Sequence, residues 1–230
     1  MAIDDTTAYL EIVGDSITEN LGSLPYVMHV RNAYRWLSNT RMTIFLKSLD
    51  FSLNEILPES KERFEEYINS NMGREKLAEY SDTILRTSSR SCIAAMGILY
   101  SDSLNNKLFS EEFKRIACFA FQGATEPLID AFIALCDMEP DVSESPYPLC
   151  ILSEEKFRKD AKLRNVIGSP EDAFASVYEL IRRGLFLPGH TPFRVAGTGW
   201  HIIFGVTDIS RKLKSLLLEA KRYLGTHEIG

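Results

Sequence analysis

"ELIRRGLFLPGHTPFRVAGTGWHIIFGVTDIS", residues 179–210, decides how the C-terminal part of this chain is read. Before it, "SPEDAFASVYELIRRGLF" is a helix with Ser169 as cap, Pro170 at the first helical position and Gly184 as stop. Phe174, Val177, Tyr178 and Ile181 fall on one face of that helix. The glycines that follow serve a turn. With Gly197 and Thr198 at the centre of a two-residue turn, Val195 faces Trp200, Arg194 faces His201 and Phe193 faces Ile202. Strand alternation then gathers Phe193, Val195, Trp200, Ile202 and Phe204 on one apolar face. Arg194, His201 and Ile203 point the other way. Pro192 cannot donate to a ladder, which makes its strand an edge. "DISRKLKSLLLEAKRYL" closes the chain as a helix whose stripe is Ile209, Leu213, Leu216, Leu217, Ala220 and Leu224.

This reading weighs against chemistry in the loop. A phosphate-cradling glycine loop leads from a strand into a helix N-terminus. Here the glycines lead from strand to strand, and His190 and His201 do not face each other in this register.

Working back toward the N-terminus, "LSEEKFRKDAKLRNVIG" is one helix stopping at Gly168. Ahead of it, "MEPDVSESPYPLC", residues 138–150, is rich in proline and acid and has the grammar of a connection. Everything before that is helical. Met42, Phe45, Leu46, Leu49, Leu53, Ile56 and Leu57 form one stripe on a helix over residues 32–57, continued backwards by Tyr34 and Leu37 and ended by Pro58. "PESKERFEEYINSN" is a short acidic helix. "GREKLAEYSDTILRTSSRSCIAAMGILYS" is one longer helix, polar first and buried later. "SEEFKRIACFAFQGATEPLIDAFIALCDM" starts at a Ser110 cap and is broken by Gly123 and Pro127. The expected fold is mostly α: a helical bundle over 1–140, an acidic linker over 141–150, and an α+β unit with one β-hairpin over 151–230.

Composition agrees with a globular chain. Of 230 residues, 45% are hydrophobic and 25% charged. No long uncharged apolar run predicts a membrane span, and the acidic N-terminus has no leader-like pattern, so a cytoplasmic protein is expected. Cys92, Cys118, Cys136 and Cys150 are far apart in sequence and read as buried reduced thiols. Charge is uneven. Residues 1–150 hold 13 Lys and Arg against 23 Asp and Glu, a net of −10; residues 151–230 hold 13 against 9, a net of +4. That asymmetry suggests two units with different surfaces.

The order helix, helix ending "ELIRRGLF", hairpin, "VTDISRKLKSLL" resembles a winged-helix domain. Bacterial winged-helix regulators of the MarR or PadR type often end the recognition helix in L-x-x-R-G-L and open the last helix with L-T-x-x-G-x-x-L. Leu180, Arg183, Gly184 and Leu185 match the first phrase. Val206, Thr207, Ser210 and Leu213 match the second, with Ser210 where glycine is usual. The resemblance covers residues 152–224 and implies a wing at the hairpin. By fold analogy alone it also brings to mind helical proteins with winged-helix ends in bacterial and phage defence. The resemblance does not extend to residues 1–140.

In the resembled regulators the first turns of the recognition helix meet base edges. Here those turns carry Glu171 and Asp172, which repel phosphates, and no Asn, Gln or Arg suited to reading bases. The outer face runs Asp172, Ala175, Ser176, Glu179, Arg182, Arg183. The candidate surface for nucleic acid or a protein partner is Arg182, Arg183, Arg194, His201, Arg211, Lys212 and Lys214, extended by Lys221 and Arg222. The acidic turn favours a protein partner.

Nothing points to an enzyme, a cofactor or a metal. Glu62, Glu65 and Glu66 lie a turn apart with no histidine at a metal-binding spacing. His29 belongs to an aromatic helix entry, and His227 to a terminal tail. "SSRS", residues 88–91, lacks nucleophile-elbow glycines. Arg86 and Arg90 beside it either clamp an anion or pair with acids of a neighbouring helix. The expectation is a non-enzymatic regulatory or interaction protein working through protein contacts and self-association, with a winged-helix DNA-binding regulator as the alternative and an enzyme with an unrecognised site as the second.

Overall fold

The computed structural model describes residues 27–104, 108–142, 147–189 and 200–226, with side chains from Leu37 onward. It divides into two compact units, Met1–Thr43 and Ile44–Gly230. In the first, Thr43 returns its hydroxyl to the Asn39 carbonyl one turn back (2.8 Å). Helix α1, Val27–Phe51, runs across the division. The other described elements lie in the second unit.

The unit is mostly helical, with one small antiparallel sheet. After α1 come α2 (Lys61–Asn69), α3 (Asn71–Arg86), α4 (Arg90–Ser101), α5 (Glu111–Phe121) and α6 (Glu126–Leu135). Then follow β1 (Leu149–Ser153), α7 (Glu154–Lys159), α8 (Ala161–Ile167) and α9 (Pro170–Arg182). Last are β2 (Leu187–Pro188), β3 (His201–Gly205) and α10 (Asp208–Thr226). No helix among the described residues is long and apolar enough to cross a membrane.

α4 is the hub. Every residue from Ser91 to Ser101 is buried, and each large apolar side chain among them stabilises the fold by roughly 1.5–3 kcal/mol. α10 lies along it, with Phe51 and Tyr223 in ring contact at 5.0 Å nearby. Gly97 marks where the end of α1 crosses α4. A Cβ there would stand 2.0 Å from Ser48 Oγ and 2.6 Å from the Phe45 carbonyl oxygen, so only hydrogen fits. Tyr100 sits among Phe45, Phe64, Tyr67 and Tyr80 and donates its hydroxyl to the Gly73 carbonyl (2.8 Å).

This crossing changes the face of α1. Phe45, Leu49, Leu53 and Leu57 are buried as their spacing predicts. Leu46, placed in the same stripe, is 45% exposed, while Ile44, Ser48 and Ser52 are buried in its stead. The helix ends at Phe51, earlier than residue 57, and a π-turn carries the chain to Ile56. Leu57 leaves helical geometry (ψ 49°) ahead of Pro58, as a residue before proline must.

Two expected single helices are broken. "GREKLAEYSDTILRTSSRSCIAAMGILYS" divides into α3 and α4 because Ser89 caps a new start, accepting from Cys92 N (3.1 Å), while the amides of Ser88 and Ser89 turn aside to the Ala124 carbonyl. "LSEEKFRKDAKLRNVIG" divides into β1, α7 and α8. Ser153 caps α7, and Asp160 caps α8 by accepting from Leu163 N (3.0 Å). The breaks at Gly123 and Pro127, the Ser110 and Ser169 caps and the stops at Gly168 and Gly184 fall where the sequence puts them. Gly184 adopts φ +71°, a conformation that favours glycine.

The sheet has the order β1-β3-β2. Ile202 and Phe204 are buried while His201 and Ile203 are only half-buried, so the alternation of β3 is as read. Its first partner is β1, with Cys150 opposite Phe204 and Leu152 opposite Ile202. β1 lies partly within the stretch read as linker. On the other side Pro188 pairs with Phe204, whereas the expected register, carried on, would set Thr191 there. The pairing of Phe193–Val195 with Trp200–Ile202, the turn at Gly197 and the edge at Pro192 lie outside the described residues.

The division at 141–150 is one of composition, and packing crosses it. α6 packs on α8 and α9, and α4 on α10. Asp141 N donates to the Leu149 carbonyl (2.8 Å), tying that stretch to β1.

Candidate functional site

The candidate surface is carried by the end of α9, with Arg182 and Arg183, and by α10, with Arg211, Lys212 and Lys214. Ser169 accepts from Asp172 N (3.1 Å) and donates to the Asp172 carboxylate (2.7 Å), fixing the first turn. Ala173, Val177 and Leu180 are buried. Tyr178, expected on the packed face, is 55% exposed and only flanks Phe174, their ring centroids 4.7 Å apart. Phe174 is in turn edge-on to Trp200 (5.3 Å). The buried line of α9 is thus Ala173, Val177 and Leu180, with Phe174 and Ile181 half-buried beside it.

Four of the candidate basic residues, Arg182, Arg183, Arg211 and Lys214, are ion-paired. Arg182 grips Glu179 by Nε (2.7 Å) and Nη2 (2.6 Å). Arg183 shares the same carboxylate (2.7 Å) and sends its guanidinium to the carbonyls of Ala120 (3.1 Å), Gln122 (2.5 Å) and Gly123 (3.3 Å), closing the C-terminal end of α5. Arg183 is therefore a structural clamp with 11% of its side chain exposed, and it also lines the groove beside α9. The Arg182 guanidinium, then Arg183, hold the Glu179 carboxyl down to about 2. Arg211 pairs with Asp208 (3.1 Å). Lys214 and Lys162 both reach Asp137. Lys212 is exposed with no carboxylate partner among the described residues. His201 sits half-buried on β3 opposite Ser153. Arg194 lies outside the described residues. Arg182, Arg183, Arg211, Lys214, Lys221, Arg222, Lys156, Arg158, Lys159 and Lys162 are all ion-paired, ten of the twelve described Lys and Arg beyond residue 150. Arg164 and Lys212 are the other two.

Beside the outer face of α9 runs a groove of about 430 Å³. Pro127, Leu128 and Ala131 of α6, and Val166 and Ile167 of α8, form its apolar floor; Asp172, Ala175 and Glu179 line the α9 side. Its lining has no histidine or cysteine.

"SSRS" has a role the sequence left open. Ser89 Oγ (2.7 Å), Ser91 N (3.2 Å) and Ser91 Oγ all donate to the Glu126 carboxylate, and Lys221 Nζ joins them (2.9 Å) while also holding Asp130 (2.7 Å). The anion at the start of α4 is thus the chain's own Glu126. Burial alone would raise that carboxyl, but the hydrogen bonds from Ser91, Lys221 and Ser89 hold it down to about 2. Arg86 pairs with Asp82 of its own helix (3.0 Å). A second closed knot is the buried pair Lys114–Asp102 (3.3 Å), whose carboxylate also accepts from Leu108 N and Phe109 N. Burial pushes the thiols of Cys118 and Cys150 up to about 11 and that of Cys136 to about 12, so each is a poor nucleophile near neutral pH.

The residues of the two quoted phrases hold the end of α9 to the start of α10. Leu180, Leu185, Val206 and Leu213 are buried. Ser210, in the place glycine usually takes, donates to the Leu185 carbonyl (2.6 Å), and Thr207 Oγ1 caps α10 by accepting from Ser210 N (3.1 Å). In α10 itself Tyr223 joins the buried stripe and Ile209 is 37% exposed.

No protein-family model, no curated protein and no solved structure matches the chain.

Proposed function

We propose that this chain is a non-enzymatic regulatory or interaction protein whose C-terminal part is a winged-helix-like module acting through protein contacts and self-association. The order α6, β1, α7–α8, α9, β2, β3, with the strand before the helices pairing to the third strand, supports that likeness. One observation carries the choice of partner. Of the basic residues that would meet phosphates, Arg182, Arg211 and Lys214 are paired with carboxylates, and the first turn of α9 adds Glu171 and Asp172. A phosphate contact would have to sit beside those acids, which weakens the electrostatic gain that drives duplex binding. Protein surfaces, which tolerate mixed and paired charge, suit this face better.

The test is duplex binding at low salt, followed by fluorescence anisotropy with a labelled random 20-mer. The expected result is no binding at micromolar protein. Binding that falls steeply with salt and is lost in Arg194→Glu/Lys212→Glu would overturn the proposal in favour of a winged-helix DNA-binding regulator.

A further inference from the structure

We propose that the outward stripe of α9 is a two-fold self-docking seam, so that the partner on this face is a second copy of this chain. The inference rests on the self-association reading above and supplies its residues. Glu171, Ala175, Tyr178 and Arg182 are all exposed and succeed one another at spacings of four, three and four along α9. Such spacing keeps four side chains on one helix seam. Their order is acid, small, aromatic, base. Set antiparallel to itself about an axis between Ser176 and Val177, the helix brings Glu171 against Arg182 of the second copy and Ala175 against its Tyr178. Each match occurs twice, once in each direction, as a closed two-fold contact requires.

The surroundings fit the same occupant. Ala175 also lines the groove floored by α6 and α8, so the Tyr178 ring of the second copy, resting on Ala175, meets an apolar hollow. Tyr178 is backed by Phe174 and, through it, by Trp200. A ring already held loses little freedom on docking. Arg182 is fixed by Glu179 through Nε and Nη2, which leaves Nη1 for a second carboxylate. One helix pair covers less than the about 800 Å² per partner of a standard interface, so the association is weak and rises with concentration.

Sedimentation velocity of the full chain at low salt, from about 10 µM to about 1 mM, tests this. The wild type is expected to shift from monomer toward dimer. Glu171→Arg and Arg182→Glu each set like charges against one another and are expected to stay monomeric. An equimolar mixture of the two is expected to associate again, since every contact between positions 171 and 182 is then of opposite sign. Tyr178→Ala is expected to weaken dimerisation about tenfold. Far-UV circular dichroism checks that each variant keeps its helices, and Ala175→Arg, which blocks the seat of the ring, replaces any that does not. A wild type that associates while both charge variants associate equally well overturns the seam and leaves self-association standing. A wild type that is monomeric throughout overturns both.

Discussion

α4 and α9 are nearly the same length, twelve and thirteen residues, and they live in opposite surroundings. α4 has no outside: from Ser91 to Ser101 each residue is covered. α9 buries a narrow line, Ala173, Val177 and Leu180, and shows the rest. The inner helix is held by close approach of backbones and by hydroxyls that satisfy local polar groups. The outer one is held by its cap, its stop, its narrow buried line and the ion pairs of Glu179 at its C-terminal end. Substitutions should therefore cost most where a backbone leaves no space, and least where charges meet in water.

The largest effect is expected at Gly97. In Gly97→Leu the α1–α4 crossing must open, and stability should fall by about 3 kcal/mol or more, read as a drop in the urea midpoint. A loss below about 1 kcal/mol would mean that α4 is not gripped at this crossing.

Next is Glu126. In Glu126→Ala the hydroxyls of Ser89 and Ser91 lose their acceptor and Lys221 keeps only Asp130, for a cost of about 2–3 kcal/mol at neutral pH. The acid limb offers a sharper check. The carboxyl titrates at about 2 in the folded chain against an ordinary 4.5. Its contribution is whole above 4.5 and is lost as the pH falls toward 2. With 36% of the side chain exposed, that contribution is about 1–2 kcal/mol after screening. Glu126→Gln should therefore flatten stability against pH between 4.5 and 2. An unchanged slope would remove Glu126 from the account.

Arg183→Met should come third. It keeps the stem and removes the guanidinium from three carbonyls at the end of α5, costing about 1–2 kcal/mol in thermal unfolding. Were Arg183 a surface residue, as its place in the candidate patch first implied, the change would be near zero.

The smallest effect belongs to the exposed pairs. Lys156→Ala and Lys162→Ala should each cost at most about 0.5 kcal/mol, and raised salt should erase that difference.

Why one helix was legible and the other was not follows from the same contrast. A helix buried on one side writes a period into its sequence, and a capped helix writes its ends. Ser169, Pro170, Gly184 and the α10 leucines could all be placed this way. A helix buried all round has no period. The start of α4 was missed because Ser88, Ser89 and Ser91 look like a polar stretch of a longer helix until Glu126 and Ala124, more than thirty residues on, are set against them. β1 was missed for a similar reason, since "LCILS" becomes a strand only where β3 is there to pair with it. Tyr178 misled because an aromatic on a helix is read as core, and its partners in the proposed seam belong to another chain.

The uneven charge misled most usefully. The excess of acids before residue 150 and of bases after it suggested separate units with separate surfaces. Yet Lys156 meets Asp141, Lys162 and Lys214 meet Asp137, and Lys221 meets Glu126 and Asp130. Part of the asymmetry is spent inside one unit, where the two stretches of chain attract each other. That is also why the net +4 of the C-terminal stretch is a poor guide to its partners.

Urea unfolding of the Trp36→Phe variant tests this central claim most directly, because Trp200 is then the sole indole and reports the C-terminal stretch, while far-UV circular dichroism reports the helices of both. A single cooperative transition with coincident midpoints is expected of one packed unit. Two separated transitions, with the indole signal moving apart from the helical one, would contradict it and restore a boundary at residues 141–150.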